Sequence, residues 1–388
     1  MKILLCCPYP LDLRLGAAKV YMEVARAFTE AGQECCIKGL DEMEWPESLT
    51  TMTEEKKLQR YPLALKSYIQ KYGEAYDVIE YEFRFLPFAR QEFPAKPLLV
   101  ARSTLLIHHL AQIEIPIFPT WRGRLGKFLK GPMRRREFAG KIELADMTLR
   151  HADFINVTNS DDAQCLIKHG HDKKKIGVFS YALFPDRWNA LAQFNQGKNK
   201  TLLAQPRLAF VGTFDNRKGA VEFPRLLELL VAKNPKVKIV LLGTSAMFAT
   251  VEAVLGCFPE KLRSHIEVIE KFSPEQLPAL LRDCSVGVFP SHLESFGYGI
   301  LEMLAAGLPV VSYKTPGPPV LLPETWMVKR GDVEKMANVV LSWIGHPDVW
   351  CQAQEHAVAI SKKFVWSGVA METLQSYSQV IQARRGHK

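Results

Sequence analysis

The chain has 388 residues, of which 47% are hydrophobic and 23% charged, and its formal net charge is +9. That length exceeds what one hydrophobic core usually serves, so two domains are expected, and the balance of apolar and charged residues excludes a disordered chain. No uninterrupted apolar stretch approaches the roughly 20 residues that span a bilayer, and the cationic excess points to an anionic partner, whether nucleotide phosphate, acidic lipid or nucleic acid.

Taken in chain order, Met1–Pro8 carries one basic residue and then a short apolar run, too short for a signal-peptide core, and reads as a first buried strand. The pairs Cys6-Cys7 and Cys35-Cys36 sit in strand-like runs, and Cys165, Cys257, Cys284 and Cys351 are scattered. With no Cys-x-x-Cys and no Cys/His ligand spacing, they signal neither a disulfide framework nor a zinc site and suit a reducing cytoplasm. Apolar runs at Ile3–Pro8, Glu34–Gly39, Val78–Glu82, Leu98–Arg102, Phe154–Thr158 and Ile176–Ser180 alternate with helix-period segments. The first such segment carries the stripe Val20, Tyr21, Val24, Ala25 and Phe28 and stops at Gly32.

The polar stretch from Gln193 to Lys200 reads as an interdomain linker. A second strand series follows at Leu208–Gly212, Lys238–Gly243, Ile266–Glu270, Val286–Phe289 and Pro309–Ser312, with a helix over Asp332–Ile344. Strands alternating with helices in both halves predict parallel sheets with crossover helices. The expected layout is an acceptor-side domain over 1–195, a nucleotide-binding domain over 205–363, and a closing helix within 364–388 that returns to the first domain.

The segment Pro290–Val311 reads strand, loop, helix, glycine stop, strand. Gly297 and Gly299 leave the backbone uncluttered where the helix begins, so amides and the positive end of the helix dipole can face a diphosphate. Glu294 precedes that helix and Glu302 lies about one turn inside it. A carboxylate accepts paired hydrogen bonds, which neighbouring sugar or ribose hydroxyls can donate. Glu294 is assigned to a donor sugar and Glu302 to a ribose.

The run Pro-Ser-x-x-Glu-Ser-Phe-Gly-Tyr-Gly-Ile-Leu-Glu, from Pro290 to Glu302, resembles the donor site of retaining GT-B glycosyltransferases of family 4. The resemblance implies an α/β GT-B fold: two Rossmann-like, doubly wound parallel-sheet domains facing a central cleft. It implies a donor site of Glu294, Ser295, Phe296, Gly297, Tyr298, Gly299 and Glu302. The strand and loop Leu208–Gly219 agree, with Gly212, Thr213, Arg217 and Lys218. Lys218 can neutralise charge on a leaving diphosphate. Thr213 stands where the family usually has an arginine. Gly16 and Ala17 resemble the family's glycine-rich turn, with Ala17 in place of a second glycine, and Lys271 and Phe272 lie where the base is expected. The family's usual histidine after the fourth strand is missing; Arg102, Ser103, Thr104 and His108 are the acceptor-side candidates.

Glu294 and Lys218 are the residues expected to carry the chemistry. The expected reaction is a retaining transfer from a UDP-sugar or GDP-sugar to a hydroxyl of a glycan or lipid-linked saccharide, as in cell-surface polysaccharide synthesis. The resemblance implies that the leaving phosphate takes the acceptor proton. No Asp-x-Asp and no ligand cluster for a catalytic cation is evident, so neither metal nor other cofactor is expected. A nucleotide-sugar epimerase of the same fold, and a degenerate relative that binds nucleotide without turnover, remain as alternatives. Over 119–141 the cations Arg122, Arg124, Lys127, Lys130, Arg134, Arg135 and Arg136 accumulate. They suit either an anionic membrane surface or an anionic soluble acceptor, and no nucleic-acid module surrounds them. The expected location is cytoplasmic, with a peripheral place on the membrane left open.

Overall fold

The computed structural model describes residues 1–12, 16–45, 52–118 and 138–386. The chain divides into two compact units, one of Met1–Gln112, Lys130–Tyr181 and Trp366–Lys388, the other of Ile113–Leu129 and Ala182–Val365. Of the basic stretch over 119–141, residues 119–137 lie outside the described residues. No described helix is long and apolar enough to cross a membrane.

The first unit is built on six parallel strands in the order β2-β1-β3-β4-β5-β6. They are β1 (Lys2–Cys6), β2 (Glu34–Lys38), β3 (Val78–Glu82), β4 (Leu98–Arg102), β5 (Phe154–Val157) and β6 (Ile176–Val178). Every residue of β3 and β4 is buried, as strands covered on both faces require. The helix Gly16–Glu30 buries Val20, Tyr21, Val24 and Phe28. Charge inside this sheet is matched: Arg102 Nη2 donates to Glu80 Oε2 at 3.1 Å, and the Arg102 Nε donates to Glu80 Oε1. The helix Trp366–Gly386 completes the unit, with the Tyr377 hydroxyl donating to Glu80 Oε2 at 2.6 Å and accepting from Asn156 Nδ2 at 3.1 Å.

The second unit holds β7 (Arg207–Val211), β8 (Lys238–Leu242), β9 (Ile266–Ile269), β10 (Val286–Phe289), β11 (Val310–Tyr313) and β12 (Met327–Val328). Their order is β12-β11-β10-β7-β8-β9, all pairs parallel. The chain winds outward from β7 to β9, returns to β10 on the other side of β7, and winds outward again. The strand order reverses between β7 and β10, and the loops leaving their carboxyl ends lie where ligands of such sheets bind.

Two expectations are corrected. The change of unit falls at Tyr181–Ala182 rather than near 195, because the helix Pro185–Ala192 is bonded into the second unit. Its Trp188 Nε1 donates to Ser361 Oγ at 2.9 Å. The polar stretch read as a linker is also built in. Lys198 is buried, and its ammonium donates to the carbonyls of Leu281, Arg282 and Cys284, each at 2.7 Å. Those carbonyls close the helix Leu277–Leu281, and a lysine supplies the donors that the helix end lacks.

All eight cysteines are unbridged. Burial pushes the Cys7 and Cys35 thiols up to about 12, so both behave as inert small hydrophobes.

Candidate active site

The loop after β7 is shaped by Asp215. Its Oδ1 accepts from the Lys218 amide at 3.0 Å, its Oδ2 from the Thr213 hydroxyl at 2.7 Å, and its carbonyl from the Ala220 amide at 3.0 Å. Thr213 thus braces the loop internally instead of presenting a cation. Gly219, at φ +83°, ends the loop so close to the next that a Cβ would lie 2.1 Å from the Pro290 carbonyl oxygen. A side chain is excluded there on both counts.

The loop after β10 is tied to the first by its backbone, the His292 amide donating to the Arg217 carbonyl at 2.7 Å. Three donors then converge on Glu294 Oε1: Lys218 Nζ at 2.5 Å, the Ser291 hydroxyl at 2.7 Å and Arg217 Nη1 at 3.2 Å. Arg217 Nη1 also holds the Leu293 carbonyl at 2.9 Å. Glu294 is only 7% exposed. Burial acts to raise its pKa, but the charges of Lys218 and Arg217 overcome this and hold it below the usual carboxylate range. Burial lowers the Lys218 pKa despite Glu294. The result is an ionised carboxylate flanked by two cations at the strand-order reversal.

Beyond Glu294 the helix Tyr298–Ala305 starts at Gly297, whose φ of +97° lies in the left-handed region. Among the described residues no side chain caps this helix, whose first turn carries the positive end of its dipole. The reason for the second glycine differs from the expected one: a Cβ on Gly299 would come within 2.4 Å of the Val211 carbonyl oxygen. The missing side chain lets the helix lie against the end of β7.

Glu302, 6% exposed, faces a partner from outside the motif. Arg187 Nη2 donates to its Oε1 at 2.9 Å, while the Arg187 Nη1 donates to the Pro274 carbonyl. Nothing in the local sequence around Arg187 marks it; the only clue is that a buried carboxylate on an apolar helix needs a cation.

Residues 193–362 match the family model described as Glycosyl transferases group 1. The chain is related to this glycosyltransferase family. Among curated proteins it is similar to the D-inositol 3-phosphate glycosyltransferase of Corynebacterium efficiens, 25% identical over 245 residues, covering 60% of this chain and 58% of that protein. The enzyme of the same name from Streptomyces scabiei is 24% identical over 272 residues, covering 65% and 59%. The match thus spans less than two thirds of these relatives. Among solved structures, the sucrose-phosphate synthase of Thermosynechococcus elongatus superimposes with a TM-score of 0.75 at 18% identity, covering 99% of this chain and 100% of that one. Anabaena HepE in complex with UDP and glucose gives 0.70 at 16%, covering 98% and 100%. These likenesses show that the fold is GT-B.

The remaining family positions distribute as follows. Ser295 and Phe296 are buried ahead of the helix, and Tyr298 opens it. Phe272 follows β9 and packs against Gly243, with Lys271 beside it. Gly212 directly follows β7. Gly16, Ala17, Arg102, Ser103, Thr104 and His108 belong to the first unit. There Gly16 and Ala17 open the first helix. Ser103 is buried with its amide on the Asn156 carbonyl at 2.9 Å. Arg102 is committed to Glu80, and His108, 1% exposed, to Asp146. Neither presents an accessible polar head for an acceptor.

The sequence offers no ligand cluster for a catalytic cation at the donor site, but the first unit does bring potential ligands together. Among the described residues, His108, Asp146 and His171 bring three ligand atoms within 4.8 Å of one another. They are separated by 38 and 25 positions, outside any spacing rule.

Proposed function

We propose that the protein is a retaining glycosyltransferase that moves a sugar from a nucleoside-diphosphate sugar to a hydroxyl acceptor. The observation that carries the reading is Glu294 with Lys218 and Arg217 at the reversal of strand order, beside an uncapped helix end. The three donors to Glu294 all use Oε1. Its second oxygen is the natural acceptor for sugar hydroxyls, and ionisation of the group suits that role. As the bond from the anomeric carbon to the diphosphate lengthens, negative charge grows on the phosphate oxygens. Lys218 and the amides of the helix start are the groups here that can meet it. The acceptor hydroxyl attacks from the face the diphosphate leaves, and the departing phosphate takes its proton. Glu302, held by Arg187, is read as the ribose contact and Phe272 as the wall for the base.

The acceptor is read as a glycan or lipid-linked saccharide. UDP is the first nucleotide to test, because UDP is bound in the HepE complex. The test is a thermal-shift panel of nucleoside diphosphates and their sugars, followed by acceptor screening with the sugar that binds. Stabilisation by a nucleotide sugar with transfer to an acceptor supports the reading. Isomerised sugar formed without acceptor would make the protein an epimerase, and stabilisation without turnover under any donor would make it a binding protein.

A further inference from the structure

We propose that His108, Asp146 and His171 form a divalent-cation site in the first unit, with zinc as the fitting ion. The three residues come from three separate elements. His108 lies on the helix Ile107–Gln112, Asp146 on the helix over 138–151, and His171 after the helix Ser160–Lys168, where its amide is bonded to the Leu166 carbonyl at 3.1 Å. Convergence of three elements on one point is a property of the fold, since no two ligands are neighbours in sequence.

The three side chains converge on one point. Both imidazoles aim Nε2 at the same carboxylate oxygen: His108 Nε2 lies 3.0 Å and His171 Nε2 2.8 Å from Asp146 Oδ1. An ion bound tetrahedrally at about 2.0–2.1 Å sets its ligand atoms roughly 3.3–3.4 Å apart. The two imidazole-to-carboxylate separations fall a few tenths of an ångström below that spacing, and all three ligand atoms lie within 4.8 Å of one another. Both histidine side chains are nearly fully buried, whereas that of Asp146 is 15% exposed. Solvent therefore reaches the cluster on one side, leaving room for a water as fourth ligand. Two imidazole nitrogens and one carboxylate oxygen form a donor set that suits zinc.

The ring of His169 packs edge-on against His108 at 4.8 Å and forms one wall. Among the described residues His108 Nδ1 has no hydrogen-bond partner, so the outer shell is incomplete on that side. The site is therefore expected to be weaker than a closed structural zinc centre, by the roughly 10–100-fold that outer-shell partners contribute. Nothing in this site requires the proposed sugar transfer, and it stands or falls independently.

The test uses the full chain without a histidine tag, stripped with chelator and titrated with Zn2+ and then Co2+. The expected result is one equivalent bound, a visible absorption of four-coordinate Co2+, and two exchangeable, paramagnetically shifted imidazole N–H resonances in the proton spectrum of the wild type. His171→Gln and Asp146→Asn are expected to raise the metal dissociation constant by at least about tenfold. Their metal-free circular dichroism is the control for folding. Wild-type protein that retains no metal, or a Co2+ complex without the two imidazole signals, overturns the proposal even if both variants misfold. Folded variants that bind as tightly as wild type overturn it as well.

Discussion

Arg187 and Glu302 are joined at 2.9 Å across 115 positions of sequence, pairing the motif's second glutamate with a residue that precedes the matched family segment. Both are largely buried, so removing one takes the nearby opposite charge away from the other. Arg187→Met is expected to destabilise the protein by about 3 kcal/mol in denaturant unfolding, and Glu302→Gln by a similar amount. The double variant should cost clearly less than their sum. Additive losses would show that the two side chains act separately.

Glu294→Ala is expected to lower sugar transfer by orders of magnitude while nucleoside diphosphate binding survives, since the cations beside it remain. Calorimetric binding and product formation measured on one preparation check this. An active variant would remove the donor-sugar role.

Lys218→Met is expected to weaken nucleoside diphosphate binding and slow transfer together, because a charge lost beside the leaving group affects both bound substrate and transition state. Unchanged kinetics would move the charge stabilisation to Arg217 or the helix end.

Gly219→Ala should be costly without touching any ligand. The backbone there is left-handed and the added carbon meets the Pro290 carbonyl oxygen at 2.1 Å. A loss of roughly 2–4 kcal/mol is expected. A variant as stable as wild type would mean that the two loops can part.

Lys198 makes stability depend on pH. Burial lowers its pKa from 10.5 to about 8 in the folded chain. Between those values the unfolded chain binds the proton more tightly, so this group makes stability rise with pH, by roughly 3 kcal/mol over the full interval at about 1.4 kcal/mol per unit. Below pH 8 both states are protonated and the contribution is flat. The check is the difference in unfolding free energy between wild type and Lys198→Met, followed from pH 7.5 to 10.5; a difference that does not grow contradicts the assignment.

Much of the sheet framework was readable from sequence, because strands buried on both faces appear as continuous apolar runs, such as Leu98–Ala101 and Val286–Phe289. The Glu294 to Glu302 motif was readable for the same reason: its parts are adjacent in the chain. What escaped depends on partners far away. The stretch around Lys198 looked like a linker since polarity reports exposure only when no buried acceptors are waiting, and here three carbonyls were. Arg187 and the group of His108, Asp146 and His171 are defined by contacts across 25 to 115 positions, which no local pattern encodes. Gly299 was expected to clear the backbone for a diphosphate, whereas the close neighbour that a Cβ there would meet is the Val211 carbonyl, visible only once β7 and the helix are assembled.

The Tyr377 hydroxyl has a further consequence for how the chain is made. It reaches Glu80 and Asn156 across 297 and 221 residues, from a helix that follows the second unit in the chain. The second unit lies wholly between these partners in the chain, so a ribosome finishes it before supplying the piece that completes the first. A nascent chain halted ahead of Trp366 would carry a second unit with all its strands, while the ion pair of Glu80 and Arg102 lacked its tyrosine. Maturation of the first sheet is thereby deferred until the second unit has been translated.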